Sequence, residues 1–474
     1  MLPDSVLLEI FWFYKEVEER RFLRIVWNWH LFVHVCRRWR QVVFGSPIHL
    51  NLQIFCTSRT PARKYLGIWP ALPIFIDFDY YSPLRHGNNP SSGDNIVTAF
   101  EHVDRVCGVR LRATGSELET FAMVMQEPFP VLTSLYILSD VKAPVLPAEF
   151  LGGSAPLLQK IYFDGIPFPA LPTLLLSTSD LVTLDLKSIP PSGYISPEAM
   201  AVGLAALPRL KTFIIQFRSA SPRPDRIHPP PATRTVLPVL TYFHLQGASE
   251  YLEDLVARID APQLDEIHIC YLNQLDEFRV AQLPRFIDRS VGPKLTQFRF
   301  AQVGFYGHFV NFHTYRNAND SESSSESPSA PTAVLCEGLD WQVSHMAQVL
   351  SHFSATLSNV VHLKLEVWHE EDEEVSQDYK LEATDDVEWL HLLHQFPTVK
   401  TLHVPHELAG NIALALEDIA WEAIAPSLDL IYLADQPASS IEKFVAARQL
   451  SGRPVTVVET KMDFDEKLES YVSK

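Results

Sequence analysis

The densest collection of side chains able to do chemistry lies between His345 and His406, where eight of the 18 histidines fall. Glu388-x-x-His391-x-x-His394 would put a carboxylate and two imidazoles on one side of a helix, and His403-x-x-His406-Glu407 comes soon after. Imidazole and carboxylate together form a donor set for a transition metal. No HExxH and no Cys/His spacing suited to zinc accompanies them, so the favoured reading is surface and half-buried histidines beside an acidic loop. GxxxxGK[ST], GxGxxG and GxSxG do not occur, and Gly152-Gly153-Ser154 lacks the elbow pattern of a nucleophilic serine. An excess of carboxylates guarantees close Asp/Glu pairs, so no acid pair of the glycosidase kind is assigned. The expectation is a binding protein rather than an enzyme, with no catalytic, cofactor-binding or metal residues.

The elements that would carry binding are set by pattern and charge. The chain has 474 residues, of which 47% are hydrophobic and 20% charged, enough apolar material for a large core. Residues 1–64 hold ten Lys/Arg and five Asp/Glu, a balance of +5; the remainder holds 39 − 10 = 29 basic and 57 − 5 = 52 acidic residues, or −23. An acidic body repels nucleic acid and anionic membranes, and a basic N-terminal element on it points to two different partners. Five cysteines, an odd number with no CxxC, predict reduced thiols and an intracellular protein, cytoplasmic or nuclear. The N-terminus lacks the basic stretch of a secretion signal, and residues 22–35 are too short and too polar to span a bilayer.

From residue 106 onward one string recurs: apolar-x-x-apolar-x-apolar. Its eleven copies begin at Val106, Leu132, Leu158, Leu181, Leu210, Leu240, Leu264, Leu295, Val360, Val399 and Leu428. The steps run from 23 to 31 residues, apart from one of 65 and one of 39. This is the leucine-rich-repeat core at roughly its usual spacing of about 20–29 residues. Its alternating part reads as a strand with one face inward. Candidate helices lie between strands at Pro197–Leu207, Glu250–Ile259 and Phe278–Arg289. Stacked units would give an α/β solenoid, with parallel strands on one face and helices on the other. Another layered α/β fold is the alternative, since the periods are irregular and most copies lack the asparagine that usually comes after the last leucine.

Two insertions interrupt the array. Residues 316–332 are rich in Ser, Glu and Pro and predict a disordered loop, with a plain solvated loop favoured over one phosphorylated at its serines. Residues 366–388 hold eleven acidic residues and one lysine, a repelling, solvated loop. Pro83–Asp94 and Ala220–Thr235 read as smaller loops. Residues 463–474 form a C-terminal tail.

The first 47 residues read as three short amphipathic helices. Leu2-Pro3-Asp4-Ser5 opens a helix of about 11 residues, with Val6, Leu7, Ile10, Phe11 and Tyr14 at helical spacing. Lys15 to Arg21 reads as a charged connector. Val35-Cys36-Arg37-Arg38-Trp39-Arg40-Gln41-Val42-Val43 puts Val35, Trp39 and the two valines on one face and the arginines on the other. Leu2-Pro3-x-x-x-Leu7-x-x-Ile10-Phe11 with the downstream Val35-Cys36-Arg37-Arg38-Trp39-Arg40 resembles the F-box motif. Phe44-Gly45-Ser46-Pro47, Phe150-Leu151-Gly152-Gly153-Ser154-Ala155-Pro156, Ile195–Met200, Glu250–Ile259 and Phe444–Leu450 extend the resemblance to mushroom-type fungal F-box proteins along nearly the whole chain.

The resemblance implies an F-box at residues 1–47 and a leucine-rich-repeat-like array at 48–462. It implies that Leu2, Pro3, Leu7, Ile10, Phe11, Val35 and Cys36 face a Skp-type adaptor, and through it a cullin, while Trp39 knits the helices together. The array would then present an unknown protein substrate to an SCF-type ubiquitin ligase. The other expectation is a scaffold protein whose N-terminal helices only cap the array.

Overall fold

The computed structural model describes residues 2–21, 29–47, 49–59, 61–69, 71–80, 91–139, 143–221, 231, 233–272, 281–290, 298–315, 332–335, 339–353, 357–367, 386–417, 427–434 and 441–460. Nearly all of the predicted loop at 316–332, most of the acidic stretch 366–388 and the whole tail lie outside them. The chain divides into two units, Met1–Thr183 and Leu184–Lys474.

The first unit begins with three helices, α1 (Asp4–Arg21), α2 (His30–Val33) and α3 (Arg37–Gly45). Next come β1 (Ile54–Thr57), α4 (Ala62–Ile68), β2 (Ile74–Asp79), α5 (Ser91–Phe100), β3 (Val106–Arg112), α6 (Gly115–Val124), β4 (Ser134–Leu138), β5 (Lys160–Asp164) and α7 (Leu171–Leu175). The five strands pair in chain order, all parallel, with Ile76, Val109, Leu135 and Ile161 in one register row. Strands β1 and β2 lie before the first string that repetition reveals, so the parallel series starts earlier than the sequence pattern announces. Ser91–Asp94, expected within a loop, is the first turn of α5.

The second unit opens with β6 (Thr183–Ile189), α8 (Pro197–Leu204), β7 (Thr212–Phe217), β8 (Thr235–Val236), β9 (Tyr242–Gly247), α9 (Ser249–Arg258), β10 (Ile259–Asp260), β11 (Glu266–Leu272) and α10 (Gln282–Ser290). It continues with β12 (Phe300–Phe305), β13 (Phe309–Tyr315), β14 (Thr332–Leu335), α11 (Leu339–Ser351), β15 (His362–Val367), α12 (Asp386–His394), β16 (Thr401–Val404), α13 (Ala409–Glu417), β17 (Leu430–Ala434), α14 (Glu442–Leu450) and β18 (Thr456–Thr460). The main sheet of this unit runs β6-β7-β9-β11-β14-β13-β12-β15-β16-β17-β18, and β8 pairs with β10 apart from it.

The recurring apolar string works as one mechanical part. Its second and third residues point inward from the strand and are buried: Leu135 and Ile137, Phe213 and Ile215, Leu402 and Val404. Its first residue closes a tight turn before the strand. Leu132 N–H donates to Phe129 O, Leu158 to Ala155, Leu181 to Thr178, Leu240 to Leu237, Leu264 to Ala261 and Val399 to Phe396, at 3.0–3.4 Å. The carbonyl one residue beyond the first leucine or valine then accepts two amides from the next strand: Thr133 O from Gln159 and Lys160, Val361 O from Lys400 and Thr401. Main-chain bonds of this kind satisfy the turn without a side-chain amide.

The copy assigned to Leu295-Phe298-Phe300 is a misregistration by three residues. Ala301 pairs with Leu363 and Val303 with Leu365, so the inward residues are Phe298, Ala301 and Val303. Phe300 points to the other face, where its ring stacks on His362 at 4.5 Å. A small residue, Ala301, took the second apolar place and hid the frame.

One strand breaks the expected parallel order. β13 is antiparallel to both β12 and β14, and this pair is inserted between β11 and β12. The cause is a short connection: Tyr306 N–H donates to Phe309 O at 2.9 Å, and so tight a turn joins antiparallel strands only. The 65-residue step therefore holds two additional strands, β13 and β14. Glu366 and Val367 end β15 and Asp386–Glu388 begin α12, so the predicted acidic loop is shorter at both ends.

Helices stand near the expected places. Ser196 caps α8, its hydroxyl accepting from Ala199 N at 3.2 Å. The N-terminus of α10 is capped from outside: buried Glu253, on α9, accepts from the amides of Ala281, Gln282 and Leu283 at 2.6–2.9 Å. A carboxylate there satisfies donors that the helix leaves free and complements its dipole.

Candidate docking site

In α1 the apolar residues fall on two faces. At about 100° per residue, Leu7, Phe11 and Tyr14 share one direction and Val6, Ile10 and Phe13 another, roughly a quarter-turn away. The first face is turned inward at Leu7 and Phe11, while Tyr14 at its far end is 39% exposed. Leu7 is 4% exposed and Phe11 0%. The Phe11 ring packs on Phe32 at 4.7 Å and on Trp39 at 4.9 Å, and Tyr14 meets Phe32 edge-on at 5.2 Å. Val33, Val42 and Val43 complete this interior. The second face is left outside: Ile10 is 45% and Phe13 67% exposed, with Leu2 at 52%, Leu31 at 52% and Val35 at 59%.

The predicted docking residues are thus divided. Leu2, Pro3, Ile10 and Val35 are exposed, whereas Leu7 and Phe11 are core of the helical motif and lie outside any surface it offers. Trp39 knits the helices through Phe11 and Phe32, the latter at 6.0 Å. Cys36 is exposed but caps α3, its sulfur accepting from Trp39 N at 3.4 Å. Val6, Phe13 and Leu31 join the exposed set; the spacing of Val6, Ile10 and Phe13 would have shown two of them.

Two further features depart from the expectation. α1 runs unbroken to Arg21, so the backbone from Lys15 onward is helix rather than connector. Arg38, placed on the solvent side by pattern, instead ties α3 to the start of α1. Its guanidinium reaches Asp4 Oδ1 at 2.6 and 3.0 Å and the Leu2 carbonyl. Trp29 fastens the motif to the segments on either side of α4. Its indole N–H donates to Gln53 O at 2.8 Å, just before β1, and its ring meets Trp69 at 5.2 Å and Phe44 at 5.8 Å.

The histidine-rich stretch is scattered by the fold. His391 and His394 end α12, and His391 stands 4.0 Å from Glu388 on the exposed side of that helix. His406 sits 3.1 Å from Glu407 in a short turn. His403 is in β16, its ring stacked on Tyr432 at 4.4 Å. Among the described residues no group of three or more His, Cys, Asp and Glu is disposed to hold a metal ion. No helix among them is long and apolar enough to cross a membrane.

What sequence reasoning missed is a row of histidines on the outer strand face of the second unit. His244 pairs with His268 across β9 and β11, Gln302 with His313 across β12 and β13, and Lys364 with His403 across β15 and β16. Burial holds His244, His268 and His313 down to about 4 and His403 down to about 3, so all four are neutral at pH 7. Burial likewise lifts the thiols of Cys56, Cys107 and Cys270 to about 11, which leaves them protonated and unreactive. The alternation of apolar and polar residues marks these histidines as outward, but not that β9 and β11 bring His244 and His268 side by side.

Compared with protein-family models and with curated proteins, the sequence matches none.

Proposed function

We propose that the chain is a substrate receptor of an SCF-type ubiquitin ligase, an F-box at its N-terminus docking a Skp-type adaptor and a leucine-rich-repeat-like array presenting a protein substrate. The observation that carries the reading is the divided α1. Its motif already has an interior, made by Leu7, Phe11, Phe32 and Trp39, and still exposes Val6, Ile10, Phe13, Leu31 and Val35. Surplus apolar surface on helices, beyond what their own packing consumes, is a site for partner helices. The recurring turn supports the repeat reading, because eight of the eleven strings, those starting at Leu132, Leu158, Leu181, Leu210, Leu240, Leu264, Val360 and Val399, close with the same main-chain bond. The receptor would act by proximity, holding a substrate lysine near the ubiquitin-loaded enzyme without itself making or breaking bonds.

A second reading, a scaffold with a helical cap, draws on the Trp29 cluster. The indole bond to Gln53 and the rings of Phe44 and Trp69 are how a cap would be fastened to the first strand. Co-purification with a fungal Skp adaptor separates the two. The receptor reading expects capture by the parent and none by Ile10→Asp/Val35→Asp; a folded parent that captures nothing leaves the cap.

A further inference from the structure

We infer that the outer strand face around Glu266 accepts a cationic side chain, an arginine or lysine from an extended segment of a bound protein. Glu266 sits at the start of β11, opposite Tyr242 on β9. Its carboxylate lies 3.7 Å from His268 Nε2, and the His268 ring packs on Tyr242 at 4.9 Å and on His244 at 5.4 Å. The result is one carboxylate fenced by three rings.

The charge is what distinguishes it. On the same face Asp185 has Lys187 at 3.4 Å, and Glu366 has Lys364 at 2.5 Å. Glu266 has only an imidazole that burial keeps neutral at pH 7. Among the described residues no Lys or Arg pairs with it, and its other charged neighbour is Asp265, which raises its pKa further after burial itself. A carboxylate bordered by aromatic faces suits a guanidinium or ammonium, which gains both an ion pair and ring contact. The overall charge of −18 favours the approach of such a segment. The site is one side chain wide, so the remaining affinity must come from the rest of a bound chain along the face.

The proposal rests on the receptor reading only in taking the array as the part that meets a partner. Selection from a phage-displayed library of random nine-residue peptides on the immobilised full chain tests it. The parent should enrich sequences with Arg or Lys at one fixed position. Glu266→Gln, with its melting temperature unchanged, should bind those peptides about tenfold more weakly. An acidic, apolar or absent consensus overturns the proposal, as does an equal basic consensus with Glu266→Gln. If that variant melts early, Tyr242→Leu takes its place and must also weaken the basic peptides. Skp capture by the same preparations reports on the docking reading alone, so the two can fail separately.

Discussion

The N-terminal helices and the strand array dispose of apolar surface in opposite ways. In the array, apolar residues alternate with polar ones and the apolar set is consumed: Phe213, Leu245, Ile267 and Leu433 are all buried. The outer face is mostly histidine, glutamine, tyrosine and charged residues, with Phe300 an apolar exception. In α1 the apolar set exceeds what the motif can bury, and Ile10 and Phe13 stay in water one face away from Leu7 and Phe11. The difference teaches which partner chemistry each region suits. The helices offer non-directional apolar contact, as helix packing requires, while the array offers hydrogen bonds, rings and a lone carboxylate.

The largest expected effect bears on the buried side of that contrast. Phe11→Ala should destabilise the helical motif by about 3–5 kcal/mol, read as loss of its protection in hydrogen exchange. Ile10→Asp, one residue away, should leave that protection nearly unchanged; equal damage from both would erase the distinction between the two faces. Next comes Gly152, at φ +59° with Pro128 only 2.6 Å from where a Cβ would stand. Gly152→Ala should cost about 1–3 kcal/mol in denaturant unfolding of the first unit, the second unit's histidine face serving as the untouched reference.

The array carries a larger pH signature than the N-terminal helices, where His30 is shifted down, by burial and then by His34. His244, His268, His313 and His403 titrate at about 4, 4, 4 and 3 in the folded chain, against 6.5 for the ordinary group. Below pH 6.5 the unfolded chain takes up protons that the folded one refuses. Stability present above pH 6.5 is therefore lost progressively as pH falls toward 4. The melting temperature should decline over that window, and His268→Gln should flatten the decline; a flat profile in the parent would contradict the assignment. The smallest effect belongs to the exposed Arg38–Asp4 pair, where Arg38→Ala should cost less than about 1 kcal/mol.

The sequence pattern was most legible where one physical demand repeats. Apart from Leu295-Phe298-Phe300, every string falls with its inner positions on a buried strand face, because strand alternation and burial act together there. Legibility failed where a small residue served instead, as at Ala301, and where pairing partners are distant in sequence. Nothing local says that β13 and β14 enter between β11 and β12, or that Glu253 caps α10. In the N-terminal motif, spacing found the apolar residues but not their division, because Phe11 and Ile10 differ only by a rotation about the helix axis. Which side faces inward was decided by Phe32 and Trp39, more than 20 residues on.

Co-purification of the full chain with a fungal Skp adaptor, beside Ile10→Asp/Val35→Asp and Cys36→Ser, tests the central claim most directly. The account predicts capture by the parent and by Cys36→Ser, which keeps a capping side chain on α3, and none by the exposed-face double variant with its fold intact. Capture that survives the double variant, or is absent from the folded parent, would contradict it.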